Sequence, residues 1–204
     1  RNRIASASYR ATWLEEGLAE FTASLFVEKT QGAKQFRDYW DRGRKVLFDK
    51  PLHSVCPNIE AGPISLGTRL ASAETPQAYS AIVYRKGAFV MHMLRSLFRD
   101  PRDPNKDHRL MEMLKDYLGT WAGRNPTTAD FQAVVERHAP APYTGNMGWF
   151  FRQWVEGTAL PKIDSNLSLR DAGNGRYGIK GSMTQSGVPD DFLSIVPLYF
   201  EFDK

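Results

Sequence analysis

Trp13-Leu14-Glu15-Glu16-Gly17-Leu18-Ala19-Glu20-Phe21 is the stretch whose reading decides the fold. Set on a helix at about 100° per residue, Leu14, Leu18, Phe21 and Leu25 form one apolar stripe, the face that turns to a core. Glu16, Ala19, Ala23 and Val27 share the opposite face, with Glu20 and Trp13 alongside. Small and apolar residues stand there in place of a charged, solvated surface, which predicts a second packing neighbour. A carboxylate on such a face must be paired, hydrogen-bonded or bound to a cation, because a bare buried charge costs several kcal/mol. On periodicity alone Glu16 also reads as an acid in a first helical turn, where the helix dipole favours negative charge.

Outward from this stretch the chain reads as mainly α. Residues 1–11 form a polar, helix-compatible lead-in that begins Arg1-Asn2-Arg3 with no initiator Met, as a segment from within a longer protein would. Thr12 with Glu15 has the spacing of a capping box, and Gly32 ends the first helix near Gln31. A second helix, Ala33 to about Asp49, offers Phe36, Tyr39, Trp40, Val46, Leu47 and Phe48 for burial, and Pro51 stops it. The segment holding Pro51, Pro57, Pro63 and Pro76 has no sustained period; loops of that length are usually functional or packed over a site. A long helix from about Ala78 to Arg99 is apolar over most of its circumference, with Arg85, His92, Arg95, Ser96 and Arg99 as its solvated arc. After a surface loop, Asp100 to Asp107, come a helix over Arg109–Leu118 and another begun by Asn125-Pro126-Thr127. Thr127 and Asp130 are placed to cap the latter, and its buried face is Phe131, Val134 and Val135. A short aromatic helix with Trp149, Phe150, Phe151 and Trp154 ends at Gly157 and Pro161.

The period then turns from helical to alternating. Leu167–Arg170, Tyr177–Met183 and Phe192–Phe202 read as strands, and Asn174-Gly175 is a hairpin turn. Pro197 places the last strand at an edge or bulge. The expected organisation is a helical region over residues 1–161 and the start of a small antiparallel, sandwich-like β domain over 162–204.

Ala78-Tyr79-Ser80-Ala81-Ile82-Val83-Tyr84-Arg85-Lys86-Gly87-Ala88 is the second informative stretch. Tyr84 lies at the edge of the long helix's apolar surface, where a core tyrosine with a satisfied hydroxyl also fits. Gly87 costs its helix about 1 kcal/mol against Ala, so it predicts a close packing contact.

Both stretches resemble the gluzincin zinc aminopeptidases, the family of aminopeptidase N and the leukotriene hydrolase. Trp-Leu-x-Glu-Gly-x-Ala-x-Phe at 13–21 is similar to the segment that carries that family's third zinc ligand. Tyr-x-Lys-Gly-Ala at 84–88 is similar to the opening of the helix that bears its oxyanion-stabilising tyrosine. Trp149 to Trp154 with Gly157 and Pro161 resembles the end of its helical portion, and Gln185 to Phe192 the small β-sandwich that follows. The resemblance implies the helical second half of a thermolysin-like catalytic domain, with Glu16 as metal ligand, Tyr84 as catalytic residue and Glu20 orienting a ligand. It implies a peptide substrate, a zinc (Zn2+) cofactor, and the upstream part of the same catalytic domain as a partner. The family's other ligands lie in His-Glu-x-x-His, about eighteen residues before the third; two His one turn apart face one metal. Counting back from Glu16 puts that motif before Arg1. His53, His92, His108 and His138 read as surface or hydrogen-bonded histidines. This chain alone is therefore expected neither to bind zinc tightly nor to hydrolyse peptides. A scaffold or interaction module that keeps the fold without catalysis is the alternative, and the upstream sequence discriminates the two.

Composition excludes other classes. The 27 basic and 23 acidic residues are interspersed, so a clustered nucleic-acid face is not expected. One cysteine, Cys56, makes neither an internal disulfide nor a cysteine metal site. No apolar run has the length of a membrane span.

Overall fold

The computed structural model describes residues 4–100 and 102–198, in two compact units that divide at Thr158/Ala159. In the first unit, α1 (Trp13–Gln31) and α2 (Ala33–Phe48) pack with a π-helical turn (Ser80–Lys86) that runs into α3 (Gly87–Phe98). Then come α4 (His108–Thr120), α5 (Thr128–His138), α6 (Gly148–Phe151) and a second π-helical turn, Arg152–Glu156. Among the described residues no helix is long and apolar enough to cross a membrane.

The core is built where the period said it would be for Leu14 and Phe21, and on α5 for Phe131, Val134 and Val135. Trp13 is sealed in, its ring edge-on to Phe131 and its indole N–H donating to Thr128 Oγ1 at 3.1 Å. Gly32 ends α1 at φ 89°, a conformation that only glycine adopts freely. Thr127 caps α5 reciprocally with Asp130.

Several expectations are corrected. Residues 7–12 of the lead-in are bends and turns rather than helix, and Ala7 N–H reaches the Pro126 carbonyl at 3.1 Å. Thr12 makes no side-chain cap; the Glu15 carboxylate that would complete the box accepts from the Ser6 backbone N–H instead. Val46 and Phe48, at the last turn of α2, are exposed. The arc of the long helix read as solvated is largely covered: Arg95 is 5 % exposed, and His92 stacks on Trp40 with centroids 4.4 Å apart. The long helix itself is not uniform. Gly87 N–H bonds back to the Ile82 carbonyl, five residues away, so its first two turns are widened. The proline-bearing segment, by contrast, is packed, one of the readings its length allows, with Ile59, Ile64 and Leu70 buried. Gly67 sits there at φ 52°, where a Cβ would fall 1.9 Å from the Tyr9 carbonyl oxygen.

The second unit, Ala159–Val196, is a two-stranded antiparallel hairpin, β1 (Lys162–Gly173) and β2 (Arg176–Ser186), with the segment that follows. Asn174 and Gly175 turn it with φ of 53° and 68°, the left-handed pair that such a tight turn needs. Pairing of Leu167 with Gly181, Leu169 with Ile179 and Ser165 with Met183 gathers the apolar residues on one face. That face is exposed. Residues 192–198 are not a strand; their alternation finds no partner strand among the described residues, and the expected continuation to Phe202 lies outside them.

Candidate functional site

The site begins with a contact between two backbones. α1 crosses the start of α3, where the π-helical turn runs into it, at Gly17 and Gly87, so closely that a Cβ on Gly17 would lie 2.8 Å from the Gly87 carbonyl carbon. A Cβ on Gly87 would lie 3.2 Å from Gly17 Cα. Each glycine belongs to one of the two stretches singled out in the sequence, and each permits the other's approach. The residues just ahead of them, Glu16 on α1 and Tyr84 on the turn, are thereby brought side by side.

Tyr84 is half-buried, and its phenol is pushed up to about 12. Burial is the first cause; hydrogen bonding to the Glu16 carboxylate and that carboxylate's charge come next, and Tyr79 adds to them. The hydroxyl therefore stays protonated well above neutral pH and can donate a hydrogen bond there. Tyr79, edge-on to Tyr84 with centroids 5.9 Å apart, is shifted upward too, by burial and then by Glu16. Tyr79 was not singled out by sequence reasoning. Its spacing of five from Tyr84 places the two on one side of a π-helical turn, and nothing in the local sequence announced that turn.

Glu16 also lines a groove of about 520 Å³ with Ile4, Leu14, Glu15, Leu18, Ala19, Thr22, Tyr117 and Leu118. Tyr84 stands beside Glu16 but not on the groove's lining. Ala19 and Ala23 are exposed, as is Phe26 at 65 %, so the packed neighbour expected on this face of α1 is not among the described residues.

Glu20, one helical turn beyond Glu16, accepts hydrogen bonds from Arg85 Nη1 and from the Tyr39 hydroxyl. Tyr39 also reaches the Glu20 backbone carbonyl at 3.0 Å. Lys86, which the sequence reading passed over, is 4 % exposed; its Nζ donates to the Gly157 carbonyl at 3.1 Å, and burial brings it down to about 8. Lys86 thus ties the turn bearing Tyr84 to the end of the Arg152–Glu156 turn.

The four histidines are scattered. His53 and His108 are exposed, His138 Nε2 sits 2.8 Å from Asp116, and His92 is enclosed by aromatic rings. Among the described residues, no three His, Cys, Asp or Glu side chains gather as a metal-holding group. Glu16 is one donor, and a protein zinc site takes three or four. The residues present do not by themselves fit a zinc ion.

Residues 2–154 match the Peptidase family M1 domain. The chain is 28% identical over 154 residues to aminopeptidase N of Haemonchus contortus, covering 74% of this chain and 15% of that protein. It is 27% identical over 160 residues to aminopeptidase M1-C of Oryza sativa subsp. japonica, covering 78% of this chain and 16% of that protein. The chain thus spans less than a fifth of these relatives. Among solved structures, it is similar to a two-domain M1 zinc metallopeptidase mutant bound to L-tryptophan, with a TM-score of 0.53 and 22% identity, over 78% of this chain and 31% of that one. An M1 zinc metallopeptidase from Deinococcus radiodurans gives a TM-score of 0.51 at 22% identity, over 77% of this chain and 30% of that one. These two likenesses concern the fold. A family match over most of the chain, falling on both motif stretches, goes further: the chain belongs to peptidase family M1.

Proposed function

We propose that this chain is part of a zinc-dependent aminopeptidase, acting on peptides near their N-terminus, and that Glu16 and Tyr84 serve its active site. The observation that carries the reading is the Gly17–Gly87 crossing, which sets the Glu16 carboxylate beside the Tyr84 phenol. In this reading residues 1–161 are the helical second half of the catalytic domain, and 162–204 open a β domain. The rest of the catalytic domain covers the face of α1 that exposes Ala19, Ala23 and Phe26, and supplies the metal ligands this chain lacks.

Glu16 would be one of three protein ligands to zinc, which when bound supplies Lewis acidity and an activated water. The other steps belong to residues of this chain. Tyr84 donates its hydroxyl to the oxygen that gains charge as a peptide carbonyl is attacked, an interaction stronger in the transition state than in the ground state. The phenol is neutral around pH 7, as a tyrosine ordinarily is, so its O–H is available to donate. No observation favours the alternative of a scaffold without activity.

Two measurements test this. In the longer protein, Tyr84→Phe is expected to lower kcat on aminoacyl amide substrates by on the order of a hundredfold, with KM nearly unchanged. Full kcat in that variant would remove Tyr84 from the reaction. For the 204-residue chain alone, titration calorimetry is expected to give no sub-micromolar zinc binding, because one carboxylate is not a zinc site. Tight binding would mean that the ligands are all here and have been misassigned.

A further inference from the structure

We propose that Glu20 is a positioning residue for Tyr84, acting through Arg85; the inference rests on the peptidase reading and deepens it. Glu20 and Arg85 repeat, one step along, the pairing of Glu16 with Tyr84. On α1, Glu20 follows Glu16 by one helical turn, and on the π-helical turn Arg85 follows Tyr84 directly. The Glu20 carboxylate takes both Arg85 Nη1 and the Tyr39 hydroxyl, so it joins α1 to the turn and to α2 at one point. Its side chain is 23 % exposed and Arg85's is 38 % exposed.

The need for such a tie comes from the turn's geometry. The Gly17–Gly87 contact fixes how closely the two helices approach, but two glycines have no side chains to fix rotation about the point of contact. The turn is π-helical, an arrangement usually confined to a single turn and readily exchanged for α-helical bonding. Returning Gly87 N–H from the Ile82 carbonyl to that of Val83 would rotate every side chain ahead of Gly87. Tyr84 and Arg85 are adjacent and would swing together. Holding the guanidinium on Glu20 therefore holds the phenol on Glu16. Tyr39, anchored a second time on the Glu20 carbonyl at 3.0 Å, keeps the carboxylate from following Arg85 outward.

The test uses the longer protein and two readouts. Glu20→Gln is expected to lower kcat by on the order of tenfold with KM changed less than about twofold, since a displaced group costs the chemical step and not ground-state binding. With 3-fluorotyrosine placed at position 84, the same variant should replace a single fluorine resonance by a shifted or split one. The charge-reversed pair, Glu20→Arg with Arg85→Glu, should recover both readouts, which a lesion that merely loosens the fold would not. Arg85→Lys, which keeps the charge but loses the planar fork, gives a milder variant of the same kind should Glu20→Gln fail to fold. An unchanged kcat and an unchanged resonance in Glu20→Gln overturn the proposal, as does a loss that the reversed pair does not repair. If the wild-type protein cleaves no peptide, the peptidase reading fails, and the fluorine resonance still decides whether Glu20 sets the placement of Tyr84.

Discussion

Gly17→Val is expected to destabilise the chain by about 3 kcal/mol or more, seen as a fall in Tm of roughly 6–12 °C for a chain of this size. The side chain would have to enter the space occupied by the Gly87 backbone, whose carbonyl carbon, Cα and carbonyl oxygen lie 2.8, 3.0 and 3.1 Å from an ideal Cβ. A flexible side chain can yield to such an intruder. A helix backbone yields only by moving, and moving it separates Glu16 from Tyr84. Alanine at the same place should already be harmful, although Ala is worth about 1 kcal/mol more than Gly in a helix. Gly119, in the last turns of α4, has nothing within 4 Å of its Cβ position, and Gly119→Ala should be neutral or stabilising. Gly87→Ala, meeting Gly17 Cα at 3.2 Å, should fall between. Thermal unfolding followed by circular dichroism orders the three; a Gly17→Ala variant as stable as Gly119→Ala would mean that the helices are not in contact there.

That contact was half-legible in the sequence. Gly87 announced a close approach by its cost, and the two glycines stand in the two stretches that resemble one family. What no local rule carried was that they meet each other. The same division runs through the fold. Gly32, the Thr127–Asp130 box and Asn174-Gly175 were readable because each is settled within a few residues. Thr12 had the same credentials as Thr127, yet Ser6 claims the Glu15 carboxylate first, a competition that spacing does not register. The arc of Arg85, His92, Arg95, Ser96 and Arg99 was misread for a related reason. Periodicity sorts residues by polarity, and a charged residue with distant partners looks like one bathed in water. Lys86 illustrates the limit: the carbonyl that its Nζ reaches lies far along the chain, at Gly157.

Arg95→Met should cost about 3 kcal/mol, near the lower end of what breaking a buried ion pair takes. Arg95 is 5 % exposed and serves two carboxylates, Glu28 through Nη1 at 2.7 Å, and Asp107 through Nε at 3.0 Å and Nη2 at 2.5 Å. Its guanidinium carbon also lies 5.7 Å from the Phe36 ring centroid. Methionine fills the volume but, among the described residues, leaves Asp107 with Arg99 at 3.2 Å and takes the guanidinium from Glu28, whose side chain is 32 % exposed. That residual solvation is why the lower figure applies. The surroundings also fix a pH dependence. Burial, then Arg95 and Arg99, bring His92 down to about 4 against the opposing pull of Asp107, and its Nδ1 has no hydrogen-bond partner among the described residues. Between pH 6.5 and 4 the unfolded chain takes a proton on this histidine that the folded chain refuses, so stability falls as pH drops through that window, by about 3 kcal/mol in all. Asp107 acts lower. Burial raises its pKa, but Arg95 and Arg99 outweigh that and hold it below 3.8, so its stabilisation is intact above that value and is lost as pH falls through the folded pKa. Urea unfolding at a series of pH values separates the two effects. His92→Phe should flatten the slope between pH 6.5 and 4, whereas Arg95→Met should keep most of it, because burial, the first cause, is untouched. A wild-type stability that stays level from pH 6.5 to 4 would show that His92 is charged in the fold, and that the arc around Arg95 is open to water after all.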